Sequence, residues 1–267
     1  MLRFFRTLRQ RLLAENRVSK YLLYAIGEIF LVVIGILVAL QINTWNQQRL
    51  DRAEERKYLL RLEQDLQQDL LKIGVVRDNY ETRLMLAMRI LDSLPDSNVE
   101  YIKQWPWLQE ASGNYSRNPN ALGRSLGEDL HTILTIEHFA PQETTMQELL
   151  SSGKINLIRD DSLKIELQYH YPYLEGMARF QDVIVMEVQK NYRNTMIALN
   201  ISSYDQSDLG EIVGNPTQRE QLVLALENYL RLTTSILADL YYNPDSVHKR
   251  TSTLLNHIQE HLHSQEP

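Results

Sequence analysis

The sequence contains no cysteine. That excludes a disulfide framework, a thiolate nucleophile, an iron-sulfur cluster and any cysteine zinc site, and leaves the redox compartment open. Glycine and proline are scarce, at 10 and 8 of 267 residues. Most lie near the ends of apolar-periodic segments, so the chain is expected to be mainly helical, without collagen-like or low-complexity tracts. Acidic charge is nearly missing from residues 1–20, which carry six basic residues and one acid, whereas residues 47–267 carry 22 basic and 32 acidic residues. A body of that sign repels phosphate backbones, which argues against nucleic acid as a partner. No G-x-S-x-G elbow, P-loop, dinucleotide fingerprint or HEXXH motif occurs. With no such motif, the expectation is a protein without a catalytic site, cofactor or metal.

One long hydrophobic run is present. Of the 21 residues from Leu22 to Ile42, 14 are Leu, Ile, Val or Phe, and at about 1.5 Å per residue a helix of this length covers roughly 30 Å, the hydrocarbon thickness of a bilayer. The reading is a transmembrane helix over residues 21–46, with Tyr21, Tyr24 and Trp45 at headgroup depth. A cleaved signal peptide is the alternative. It fits less well, because the run exceeds the usual apolar core and no Ala-x-Ala site follows. Six Lys or Arg precede the span and four follow within 15 residues, accompanied by three acids. This bias predicts a cytoplasmic N-terminus and places residues 47–267 in the periplasm of a bacterial inner membrane. Residues 1–20 read as a basic leader; Met1, Phe4, Phe5, Leu8 and Leu12 share one helical face, as in an interfacial helix on anionic lipid.

Within the span, Tyr24, Glu28, Gly35 and Ala39 fall on one stripe. Small residues let a second helix approach, so this is a candidate packing face for a homo-oligomer or a membrane-protein partner. Glu28 is either a hydrogen-bonding group in that contact, an acid tolerated near the inner headgroups, or part of an ion path.

Beyond Asn46, the residues Leu59, Leu62, Leu66, Leu70, Ile73, Val76, Tyr80, Leu84, Ala87, Leu91 and Leu94 recur at steps of three and four. Their mean spacing of about 3.5 is that of a bundle or coiled-coil helix, predicted over residues 47–94 as a near-continuation of the span, so that displacement in either could reach the other. Gly74 is the expected bend. Residues 95–125 read as an irregular connection in which Trp105 and Trp107 form a contact surface or tether the loop. Helices are predicted at about 126–139, 142–152, 161–200, 217–241 and 246–263, with Gly153 as a left-handed cap, Asp160 or Asp161 as an N-cap, and Pro172 bending the helix at 161–200. The expected fold class is all-α, a single transmembrane helix running into an antiparallel helical bundle.

Three candidate constellations remain. Tyr169, His170, Tyr171 and Tyr173 around Pro172 form a polar aromatic patch that either lines a ligand pocket or marks a core edge. His257 and His261, four apart, have metal-ligand spacing, but no third ligand stands at a fixed distance, so a solvated face is the better reading. Glu128, Asp129, Glu148, Asp160 and Asp161 supply carboxylates for an unrecognised hydrolase, the third of three functional readings.

Two segments, KYLLYAIGEIFLVVIGILVALQINTWN at 20–46 and TTMQELLSSGKINLIRDDSL at 144–163, resemble a family of single-pass bacterial inner-membrane proteins with a domain of unknown function. The resemblance implies a leader, an anchor and a helical domain, with Glu28 and Gly153 at characteristic positions, and it transfers no catalytic residue. The first functional reading is therefore a non-enzymatic anchored protein that mediates assembly or partner binding. The second is a periplasmic sensor of a small ligand.

Overall fold

The structure, a computed structural model, describes residues 18–94, 97, 126–134, 138–201 and 214–264. The leader, nearly all of the connection 95–125, and the candidate residues Trp105 and Trp107 lie outside them. All regular structure among the described residues is helical: α1 (Val18–Ser93), α2 (Leu126–Leu134), α3 (Thr144–Ser151), a 3-10 turn (Lys154–Leu157), α4 (Asp161–Ala198), α5 (Pro216–Leu237), a π turn (Ala238–Tyr242) and α6 (Val247–Ser264). The chain divides into two compact units, residues 1–57 and 58–267.

In the first unit, α1 carries a stretch long and apolar enough to cross a membrane, with mean hydropathy 2.6 and no part of it buried within the chain. Soluble helices hide such residues; here Leu23, Phe30, Leu37 and Ile42 all face outward.

The second unit is an up-down-up-down bundle whose core is the stripe read from the sequence. From Leu59 to Leu94 every member of that stripe is buried except Leu70, which is half-buried and packs against the core. Residues 58–66 of α1 share a core cluster with Met146 and Leu149 of α3, Leu163, Leu167 and Tyr171 of α4, and Leu254, Ile258 and Leu262 of α6. Residues 73–94 share a second cluster with Ile133 of α2, Val185, Tyr192 and Met196 of α4, and Leu222, Tyr229 and Leu237 of α5. These pairings fix direction. α4 runs parallel to α1; α2 and α3 return between them, and α5 followed by α6 descends along α4.

The returning arm is also held by polar ties. Arg89 pairs with buried Asp129, Tyr192 Oη donates to Leu130 O at 3.2 Å, Lys72 Nζ donates to Ala140 O at 3.0 Å, and Asp69 Oδ1 accepts from Gln142 N at 2.8 Å. Helix ends follow local chemistry. Asp160 Oδ1 accepts from Leu163 N at 3.0 Å, capping α4 as expected. Asn215 caps α5, with Pro216 at its first position. Pro172 lies inside continuous α4 on its exposed side, where water can satisfy the Gln168 carbonyl that loses its donor.

Gly153 has φ 71° after α3, the left-handed conformation a Cβ disfavours, yet a Cβ there would meet no atom within 4 Å. The cost of Gly153→Ala is thus purely conformational, about 1 kcal/mol. Gly74, inside α1, has equally open space and ordinary helical geometry, so Gly74→Ala is expected to stabilise by roughly 0.5–1 kcal/mol. Thermal melts of the detergent-solubilised chain should show opposite shifts; shifts of the same sign would contradict these backbone assignments.

Candidate functional site

The aromatic patch is divided by the helix that carries it. On α4, Tyr171 turns into the core and is 4% exposed, whereas Tyr169 is 77% exposed. His170 and half-buried Tyr173 stand between these extremes, on the side that meets α6. Together with Tyr169 they form one wall of a groove of about 490 Å³, whose other wall is Lys249, Arg250, Thr253 and Leu254, closed at one end by Pro244 and Asp245. The Arg250 guanidinium stacks over the Tyr173 ring, 4.8 Å from its centroid, and donates to Asp245 O at 3.0 Å. Lys249 and Arg250 are matched in this lining by Glu166 and Asp245, so the groove is balanced in charge and offers a small planar ligand two exposed or half-exposed rings beside a guanidinium. A second groove of about 510 Å³ between α4 and α5 is lined by Asn191, Asn194, Gln221 and Asn228 beside Leu224 and carries no charge.

His257 and His261 do not face open solvent. His257 Nδ1 lies 2.9 Å from Glu166 Oε2 and its Nε2 lies 3.5 Å from Asp160 Oδ2; His261 Nδ1 is 3.7 Å from the same oxygen. The hydrogen bond to Glu166 raises the His257 pKa, and the backbone amide of Leu163 leads in lowering that of Asp160. The two histidines therefore fasten α6 to the start of α4. This corrects the solvated-face reading: helix spacing showed that the histidines share a face but could not show which carboxylates meet it. Among the described residues no group of three or more His, Asp or Glu is arranged to hold a metal ion.

Glu148, a candidate for acid-base chemistry, is likewise engaged. It accepts from Tyr58 Oη at 2.7 Å and pairs with Arg61 at 2.8 Å, and these bonds lower its pKa. Lys154 Nζ donates to the same Tyr58 hydroxyl at 3.3 Å. The segment 144–163 thus acts as a clasp between α1 and α6, with Glu148, Gly153 and Asp160 as its fixed points. Asp129 is buried against Arg89, and the side chain of Glu128 lies outside the described residues.

Of the membrane stripe, Glu28, Gly35 and Ala39 are exposed and Tyr24 is half-buried, and a Cβ added at Gly35 would meet nothing within 4 Å. The face is open to whatever surrounds it.

A further feature escaped the sequence reading. Ile165, Tyr169, Phe180, Val183, Met186 and Ile197 are all at least half exposed on α4. At 100° per residue they fall within an arc of about 120°, so they form one outward stripe. The inward stripe Leu163, Leu167, Leu174, Val185, Tyr192 and Met196 occupies the opposite side. Pro172, Gly176, Arg179, Glu187 and Lys190 interrupt this outer face, so its period does not stand out in the sequence.

These features define an all-α bundle preceded by a helix able to cross a membrane. Residues 28–129 match a family of unknown function (DUF6090), and the chain is similar to that family over this range, which includes the apolar stretch from Glu28 onward and the α1 core stripe but ends before the 144–163 clasp. No curated protein matches the chain. No solved structure matches it either.

Two buried groups contribute opposing pH dependences. Burial, and secondarily the charge of Arg250, lowers the His170 pKa to about 4. As pH falls from 6.5 toward 4, the unfolded chain takes up a proton that folded His170 refuses, so stability is lost by up to about 3 kcal/mol. Burial raises the Asp69 pKa to about 6, against the opposing Gln142 amide. Its carboxyl stays protonated in the folded chain where the unfolded chain ionises, so between pH 6 and 3.8 stability grows as pH falls, by a similar amount. The two effects offset one another. Asp69→Asn should raise the melting temperature at pH 7.5 and expose a loss of stability between pH 6.5 and 4. His170→Gln should expose the reverse slope. If neither variant changes the dependence of melting temperature on pH, these assignments are wrong.

Proposed function

We propose that the chain is a non-enzymatic, single-pass protein of the bacterial inner membrane, N-terminus cytoplasmic and helical domain periplasmic, which mediates assembly or partner binding at the envelope. One observation carries this reading: the apolar stripe that α4 leaves open to solvent. Its centre is the exposed triplet Phe180, Val183 and Met186, and exposed apolar clusters mark contact surfaces. The open Glu28, Gly35 and Ala39 face supports the same reading inside the membrane. Chemical cross-linking in intact membranes tests it. The triple variant Tyr169→Ser, Phe180→Ser, Ile197→Ser should reduce cross-linked complexes at least fivefold, and Glu28→Leu with Gly35→Leu should reduce them further. Complexes of unchanged amount and size in all variants would defeat the proposal.

A second reading, a sensor of a small ligand, is favoured by the groove between α4 and α6, where Lys249 and Arg250 face Tyr169 and Tyr173. It requires that a small carboxylate or phosphate stabilise the chain by mass action. A thermal-shift series of aromatic carboxylates and phosphate esters against the full chain should then give saturable shifts of 2 °C or more by order of magnitude, abolished in Arg250→Ala. Shifts that persist in that variant would remove the groove from consideration.

A further inference from the structure

The two grooves of the bundle differ in chemistry. The one between α4 and α6 presents rings and charges of both signs; the one between α4 and α5 presents amides. In the latter, Asn191, Asn194 and Thr195 line the α4 wall, and Gln221 and Asn228 line the α5 wall. Charge is turned away from this surface. Lys190 and Arg193 on α4, and Glu220, Glu227 and Arg231 on α5, occupy the same stretches of helix, yet none of them lines the groove. Since 23% of the chain is charged, the groove is set apart from the surface around it.

This lining restricts the ligand by elimination. A charged ligand would give up water and meet no counter-charge. A purely apolar ligand would cover amides that have nothing to replace their water, because the side chains of Asn194, Gln221 and Asn228 bond to no other described residue. A planar ring system would find no face to stack on: Tyr192 and Tyr229, at the base of the groove, are 2% and 1% exposed, with ring centroids 6.0 Å apart. What remains is a neutral molecule that both gives and takes hydrogen bonds and has an aliphatic side. We propose that the groove between α4 and α5 binds a saccharide of one or two rings.

The match is one of group to group. An amide end carries an acceptor oxygen and two N–H donors, and a sugar hydroxyl is itself donor and acceptor, so each amide can serve a hydroxyl in either sense. Asn191 and Thr195 are partly used already, by Glu187 Oε1 at 3.4 Å and the Asn191 carbonyl at 3.1 Å. Recognition therefore falls to Asn194 on one helix and to Gln221 and Asn228 on the other, and a sugar held by all three bridges α4 and α5. Its C–H face rests on Leu224 and Leu232, with Ala198 and Ala225 leaving room between them. The volume of about 510 Å³ lies within the range of small-ligand sites, about 300–1,000 Å³. This site goes beyond the assembly reading and is separate from the groove of the sensor reading.

Glucose, N-acetylglucosamine and the β-1,4-linked dimer of each, titrated against the full chain in a detergent without a sugar headgroup and read as saturable thermal stabilisation, test the proposal. The expected result is binding of at least one of the four with a dissociation constant below about 10 mM. That binding should be at least tenfold weaker in Asn194→Leu and in Asn228→Leu, and unchanged in Arg250→Ala, which alters the other groove. Asn194 and Asn228 are exposed and lie on different helices, so both substitutions leave the core intact. Glucuronate, a sugar ring with a charge, should bind at least tenfold more weakly than the best of the four. Stabilisation by none of the four sugars, or stabilisation that survives both asparagine substitutions, would overturn the proposal. So would tighter binding of a blocked dialanine than of every sugar, which would make the groove a peptide site.

Discussion

Burial of a single stripe on α1 is the constraint from which the bundle follows. Leu59, Leu62, Leu66, Ile73, Val76, Tyr80, Leu84, Ala87 and Leu91 are hidden from solvent, each side chain worth about 1.5–3 kcal/mol relative to exposure for the larger ones. Among the described residues no helix apart from α4 is long enough to cover that stripe. The remaining sides are closed by two composite arms, α2 with α3 and α5 with α6, each made of shorter pieces laid end to end. The joints of these arms are where polar groups collect. At the joint between α5 and α6, the π turn points Tyr242 at Glu81 and sets Tyr241 beneath Arg77, whose guanidinium lies 4.4 Å from the ring centroid. An extra residue in a helical turn redirects side chains, and here it turns two tyrosines onto α1.

The polar groups enclosed in this way have a physical cost that the chain distributes. Asp69 is completely buried and receives one backbone amide; His170 is buried and kept neutral. An ionised carboxylate and a protonated imidazole are each expensive in such surroundings, but they are penalised at opposite ends of the same pH interval. The contributions of these two groups to the pH dependence of stability therefore oppose one another. Surface pairs such as Arg179 with Glu175 add little to this balance, because solvent screens them.

Much of this was legible before the structure. The α1 stripe, the left-handed Gly153 and the Asp160 cap follow from spacing and from residues with a narrow conformational repertoire. The aromatic patch was only half legible. Its residues were identified, yet consecutive positions on a helix diverge by 100°, so Tyr169 and Tyr171 face different surroundings and only the packing of α6 made a groove of the remainder. His257 and His261 illustrate the same limit: their common face was evident, and the carboxylates that meet it, Asp160 and Glu166, are distant in sequence.

What the sequence determined by itself is everything that depends on local repetition: an apolar run of membrane length, an all-helical chain, and the inward face of α1, because periodicity and chain stiffness act over a few residues. Tertiary structure alone decided which helices run together, which carboxylates the histidines meet, and that α4 keeps a second apolar face after its first is satisfied. Those are properties of which surfaces become neighbours, and the free energy that selects them is shared among segments separated by scores of residues, where no local spacing carries the information.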